Sequence, residues 1–349
     1  MTQPVFDGHN DVLLHLWRAG DRMGQSFFDG RAGHVDLPKA RAGGLAGGFF
    51  AVFVPNGPAQ PEPDDGDDGE VLEMPPIGSV GTSQARRATL EIASVLIRMA
   101  AARPDAIRIC RSAAEIDAAQ AAGAIAAILH VEGCEGIGAD LDELHVLHAA
   151  GLRSLGPVWS RPNIFGHGVP FRFPSSPDTG PGLTDAGRRL VAECNRLGIV
   201  VDLSHLNEAG FWEVEKLSDA PLVATHSNVH AIAPSSRNLT DRQLDAIAAT
   251  GGVVGLNYAV SFLREDGRKS ADTPLSVCVA HLAHLVERLG EGGVALGSDF
   301  DGALIPEGIG SAAGLQNLVA AMRDAGFGET LIARICWGNW VDLLRRTCG

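Results

Sequence analysis

The feature that most constrains this chain is a long alternation. Eight short apolar, β-branched runs recur along it: Val5–Asp7, Leu45–Val54, Ala124–Val131, Leu152–Trp159, Ile199–Ser204, Leu222–Thr225, Gly252–Asn257 and Val294–Ser298. Between most of them lie amphipathic stretches of helical period, at 84–102, 140–150, 185–197, 208–217, 241–250 and 274–289. Helices also follow the last run, from Ala312 to the end. Thr184 and Thr240 stand where helix caps are wanted. Strands that alternate with helices must pair in parallel, and eight of them predict a (β/α)8 TIM-type barrel rather than an open doubly wound sheet. At 349 residues and 45% apolar composition, a single barrel domain over 1–349 with long inserted loops accounts for the chain.

Two stretches read as those insertions, Pro55–Gly81 and Ser160–Leu183. The first contains the acidic "PEPDDGDDGE" and reads as a solvated tip. Long irregular loops in a compact domain are often functional. No G-x-G-x-x-G or phosphate-binding loop follows a strand, and "GLAGGFF" lacks the spacing.

The formal net charge of −14 disfavours nucleic acid and anionic membranes as partners. No apolar span is long enough for a transmembrane helix, and no signal or anchor segment is read at either end. Six scattered cysteines without a C-x-x-C pair read as reduced thiols, so a cytoplasmic protein is expected.

In such a barrel the chemistry sits where the strands end. Run one ends in "DGHND", with His9 and Asp11 two apart and so on one face of a strand. Run three ends in "LHVEG" with Glu132, run five in "DLSH" with His205, run six in "ATHSN" with His226, and run eight in "GSDFDG" with Asp299 and Asp301. Gathering these groups without an ion would bury several charges at several kcal/mol each. Neutral imidazoles and ionised carboxylates suit zinc or a similar divalent metal. Two metals need a bridge. The three lysines, Lys39, Lys216 and Lys269, lie away from the predicted strand ends, so a carbamylated lysine is not available and Glu132 is the bridging candidate. His130 shares a face with Glu132 but lies two residues deeper, which favours a structural role.

Taken together, "DGHND", "HVEG", "DLSH", "THSN" followed by "SSRN", and "GSDFDG" resemble the signature segments of the membrane dipeptidase (renal dipeptidase) family, zinc-dependent enzymes of the amidohydrolase superfamily. The resemblance runs from residue 5 to about 345 with the motifs in order. It implies that His9 and Asp11 bind one zinc, that Glu132 bridges two, and that His205 and His226 complete the second site. It further implies Asp299 as the acid–base carboxylate and Arg237 as the clasp for the substrate carboxylate; Asp301, beyond the strand end, is the alternative acid–base group or else orients the loop. The implied reaction is hydrolysis of a dipeptide by a hydroxide shared between the two metals.

One departure stands out. Where the family places a histidine after strand four, this chain has Trp159, a single N–H donor without positive charge. His167 or Arg161, from the loop that follows, is expected to supply the missing group; Trp159, His167 and Tyr258 are read as substrate-facing. That departure keeps open another amide, lactone or β-lactam hydrolase on the same centre, or a fold relative without peptidase turnover. A homodimer is compatible with the sequence and is not read from it.

Overall fold

The computed structural model describes residues 2–56, 66–74 and 77–349. Among these residues nine strands form one sheet: β1 Val5–Asn10, β2 Leu45–Phe53, β3 Ile107–Ile109, β4 Ile125–Glu132, β5 Leu152–Gly156, β6 Val200–Val201, β7 Val223–Ala224, β8 Val253–Leu256 and β9 Val294–Leu296. All pairings between them are parallel, in the order β6-β5-β4-β2-β1-β9-β8-β7. The two ends meet through a bridge between Asp202 and Val223, where the Leu203 amide donates to the Val223 carbonyl at 2.8 Å. That contact closes an eight-stranded barrel. All eight predicted runs are its staves.

The short β3 lies outside this ring and pairs with the first half of β4. The sequence reading missed it, along with helices at Val12–Arg18 and Ala113–Ala121. Half of the acidic stretch at 61–70, residues 61–65, lies outside the described residues.

Parallel strands are covered on both faces, which is why β4 reads as an apolar run broken only by His130 before Glu132, and why β1 and β4 are buried throughout. Phe6, Phe49, Ile128, Val200, Val223, Val253 and Ala295 pack in one cluster with Trp340, a residue of the C-terminal helix Asn339–Thr347. The Trp340 indole N–H donates to the Leu296 carbonyl at 2.9 Å, and its ring meets Phe49 edge-on at 5.2 Å. Close approach there requires glycine: a Cβ on Gly8 would stand 2.3 Å from the Thr225 carbonyl oxygen and 2.8 Å from the Trp340 ring. The apolar cluster fills this end of the barrel, and the polar groups gather at the strand ends.

Candidate metal centre

β1 runs to Asn10, and Asp11 then becomes the N-cap of the helix Val12–Arg18. Its pairing with β2 shifts register between Asp7 and Asn10, around His9. Beneath it the buried Asp7 carboxylate accepts from the Ser298 amide at 2.7 Å and the Ser298 hydroxyl at 2.8 Å, tying β1 to the end of β9. Glu132 is the last residue of β4. His205 and His226 follow β6 and β7, and Asp299 follows β9.

These side chains converge. His9 Nε2 lies 3.3 Å from Asp11 Oδ2 and 3.6 Å from Glu132 Oε2. The other Glu132 oxygen lies 2.9 Å from His205 Nε2 and 3.6 Å from His226 Nε2. Among the described residues, three sets bring ligand atoms within 4.8 Å of one another: His9, Asp11 and Glu132; Glu132, His205 and His226; and His9, His226 and Asp299. The first two sets share Glu132. The expected ligands are thus brought together, and His130 stays out of all three sets, with Nδ1 on the Ser154 hydroxyl at 2.9 Å.

Burial makes this assembly unfavourable without cations. It pushes the Glu132 carboxyl well above its usual range, and the Asp299 carboxyl also rises. Burial likewise holds His205 and His226 far below the usual imidazole value, with Arg237 and His9 adding to the effect. Burial opposes charge on His9 as well, but Glu132 and Asp11 outweigh it and bring it to about 10. Among the described residues, both ring nitrogens of His9 and Oδ1 of Asp11 are buried without a hydrogen-bond partner. His205 Nε2 and His226 Nε2 face each other at 3.1 Å. Lone pairs aimed at one another and at carboxylates are the donor set of a divalent cation, so these residues fit a metal pair.

The outer partners fit too. The Thr225 hydroxyl donates to Asp202 Oδ2 at 2.7 Å, which leaves its oxygen to accept from His226 Nδ1 at 2.8 Å. That bond puts the His226 proton on Nδ1 and frees Nε2 as a ligand. His205 Nδ1 likewise meets the Ser160 hydroxyl at 2.8 Å. Asp202 and Thr225 lie inside quoted motifs, yet the sequence reading gave them no role; their position at the β6–β7 seam becomes visible only when the barrel closes.

A cavity of about 520 Å³ opens over Asp11, Glu132, His205 and Asp299. Asp299 holds a left-handed backbone, φ 59°, and its Oδ2 accepts from Asn257 at 2.8 Å. Asp301 is turned away from the centre: Arg31 and the His34 amide hold its carboxylate, each at 2.7 Å. Arg237 is buried beside the centre, donating to the Ser227 hydroxyl at 2.9 Å and the His226 carbonyl at 3.0 Å, with NH2 3.2 Å from His205 Nε2. Burial lowers its guanidinium to about 10, still charged at neutral pH. Its guanidinium lies 5.8 Å from the ring of Phe262, which lines the cavity.

Trp159 lines the cavity with Phe53 and Phe171. Three expected substrate contacts, Arg237, His167 and Tyr258, are not among its lining residues. His167 turns its Nδ1 to the Gly182 carbonyl at 3.1 Å, because its loop is pinned by bridges from Gly166 to Leu183 and from Gly168 to Leu206. Tyr258 is fully buried with its ring edge-on to Phe300, whereas its neighbour Asn257 reaches Asp299. Arg161 is no substitute either: it is buried against Glu135 at 2.9 Å.

The family described as membrane dipeptidase (peptidase family M19) matches residues 1–347. An "uncharacterized protein in pqqA 5'region" of Klebsiella pneumoniae is 45% identical over 256 residues, 73% of this chain and 93% of that one. A crystal structure of a metallo peptidase from Rhodobacter sphaeroides, liganded with a phosphinate mimic of the dipeptide L-Ala-D-Ala, superposes with a TM-score of 0.96 at 55% identity, covering 99% of this chain and 100% of that one. The crystal structure of the dipeptidase AC gives a TM-score of 0.94 at 55% identity, with 100% of both chains covered.

Proposed function

The chain belongs to the membrane dipeptidase family and is a metal-dependent dipeptidase, and we propose that two zinc ions serve it, one held by His9, Asp11 and Glu132 and the other by Glu132, His205 and His226. The observation that carries this assignment is the sharing of one carboxylate, Glu132, between two complete ligand sets. When bound, such ions supply Lewis acidity, making water nucleophilic near neutral pH and polarising a carbonyl oxygen.

The chain's own groups divide the remaining work. Asp299 takes the proton lost by the attacking water and returns it to the amide nitrogen as the C–N bond breaks. Its Oδ2 is committed to Asn257, so Oδ1 is the oxygen that meets the reacting atoms. Arg237 clasps the C-terminal carboxylate of the dipeptide with its planar fork. Phe53, Trp159, Phe171 and Phe262 wall the cavity and exclude water. The phosphinate mimic bound by the Rhodobacter sphaeroides peptidase supports a D-residue at the second position as substrate here. We further place the protein in the cytoplasm, a reading supported by its six free thiols.

The test combines metal analysis with kcat/KM for L-Ala-D-Ala, L-Ala-L-Ala, the dipeptide amide and the one-residue extension, in wild type and Arg237→Met. Two zinc per chain and a sharp preference for free dipeptides are expected. An unpaired charge in a desolvated pocket costs roughly 2–5 kcal/mol, so losing the carboxylate should cost at least about 30-fold. Equal rates on dipeptide, amide and extension would favour a broader amide or lactone hydrolase.

A further inference from the structure

Two histidines line the same cavity and lie outside all the ligand sets. His15 stands on the helix Val12–Arg18, and His34 follows the turn at 31–33. Both are tied to the backbone of Asp301. The Asp301 N–H donates to His34 Nδ1 at 2.9 Å, and His15 Nε2 lies 2.8 Å from the Asp301 carbonyl oxygen.

These two bonds set the tautomers. A backbone amide can only donate, so His34 Nδ1 carries no proton and the ring's N–H is at Nε2. A carbonyl can only accept, so His15 Nε2 donates to it, and the Nε2–H tautomer of the ring has its lone pair at Nδ1. Burial lowers the His34 pKa, which keeps that ring neutral near pH 7. Among the described residues, neither His34 Nε2 nor His15 Nδ1 has a hydrogen-bond partner.

The frame around them is fixed. The Asp301 side chain, 1% exposed, is filled by Arg31 and the His34 amide. Gly33 lets the turn wrap it: φ is +107°, and a Cβ there would stand 2.6 Å from Asp301 Oδ1. One residue beyond Asp301, the position of a Cβ on Gly302 lies 2.3 Å from Asp11 Oδ2 and 2.5 Å from Asp299 Oδ1. The two rings are therefore anchored next to the Asp11 and Asp299 edge of the centre. Arg237 stands at the His205 edge. A dipeptide clasped by Arg237, with its scissile carbonyl over Glu132, directs its N-terminal residue toward the Asp11 edge.

We infer that His34 Nε2 and His15 Nδ1 form the subsite for the substrate's N-terminal side chain, and that this pair of one donor and one acceptor selects an amide or hydroxyl side chain. An asparagine there would accept from His34 through its carbonyl oxygen and donate to His15 through its amide nitrogen. Leucine has nearly the same shape and can do neither. The inference rests on the dipeptidase reading, and its test separates the two.

The test is kcat/KM for Asn-Ala, Leu-Ala and Asp-Ala, each with D-alanine in the second position, in wild type, His34→Leu and His34→Gln. Two neutral hydrogen bonds should favour Asn-Ala over Leu-Ala by about 10-fold or more. That ratio should fall to near one in His34→Leu. It should largely survive in His34→Gln, which keeps an acceptor for the Asp301 amide and a donor for the cavity. A wild-type ratio of one, a ratio unchanged in His34→Leu, or Asp-Ala turning over faster than Asn-Ala would overturn the subsite. Hydrolysis of none of the three would instead remove the dipeptidase reading beneath it.

Discussion

Replacing Thr225 by valine keeps a β-branched side chain of nearly the same volume and removes one hydroxyl. That hydroxyl joins Asp202 Oδ2 at 2.7 Å to His226 Nδ1 at 2.8 Å. Asp202 would keep the Thr225 amide at 2.8 Å, the Ser204 hydroxyl at 2.6 Å and the Ser204 amide at 3.1 Å. The barrel seam therefore survives, and the stability loss should be that of two buried hydrogen bonds, about 2 kcal/mol. The His226 ring loses the acceptor that fixes its proton on Nδ1. Loss of such an outer partner lowers metal affinity by roughly 10–100-fold, equivalent to about 1.4–2.7 kcal/mol. The effect should fall on the ion of the Glu132, His205 and His226 set. Zinc titration of the apoprotein against a competing chelator resolves the two affinities. Ser160→Ala, which removes the partner of His205 Nδ1, should weaken the same ion. Unchanged affinities in Thr225→Val, or equal weakening of both ions, would refute the assignment of that ligand set.

Three further outcomes follow from the same geometry. Glu132→Gln should reduce zinc occupancy below two per chain by metal analysis, and full retention would defeat the bridging role. Asp299→Asn should keep much of its metal yet lose roughly 10²–10⁴-fold in kcat, as removal of a placed acid–base does, whereas the same loss in Asp301→Asn alone would mean the wrong carboxylate was chosen. His167→Ala should turn over dipeptides at a near-normal rate because His167 faces Gly182, while Trp159→Phe should shift substrate preference measured across a dipeptide panel.

The barrel was legible because parallel strands, covered on both faces, leave apolar runs such as the "IAAIL" that precedes His130. β3 was not, because "IRI" is three residues long and only half-buried beyond Ile107. The helix Val12–Arg18 was hidden for another reason: it starts one residue after β1, with Asp11 serving both as its N-cap and in the His9 ligand set. The residues of the candidate centre were visible at the strand ends, since each of His9, Glu132, His205, His226 and Asp299 stands on or just after a stave, and the resemblance supplied their proposed roles.

The substrate side of the cavity follows a different logic. Imidazoles and carboxylates packed this tightly require cations, so their identity at the strand ends announces the chemistry. The groups that face substrate are held by contacts between loops, and no local pattern encodes those. Trp159 shows this. The positive charge nearest to it in sequence, Arg161, is neutralised by Glu135 at 2.9 Å and donates to the Val54 carbonyl at 2.6 Å. Its guanidinium lies 5.3 Å from both the Trp159 and the Phe53 rings. Arg161 thus stiffens an aromatic wall instead of reaching the scissile carbonyl. His34 and His15 reach the cavity from a turn and a helix of the first βα connection, far in sequence from the Asp301 that sets their tautomers. The metal chemistry of the chain is therefore written in single motifs, and its substrate preference in pairs of residues that meet only after the barrel has closed.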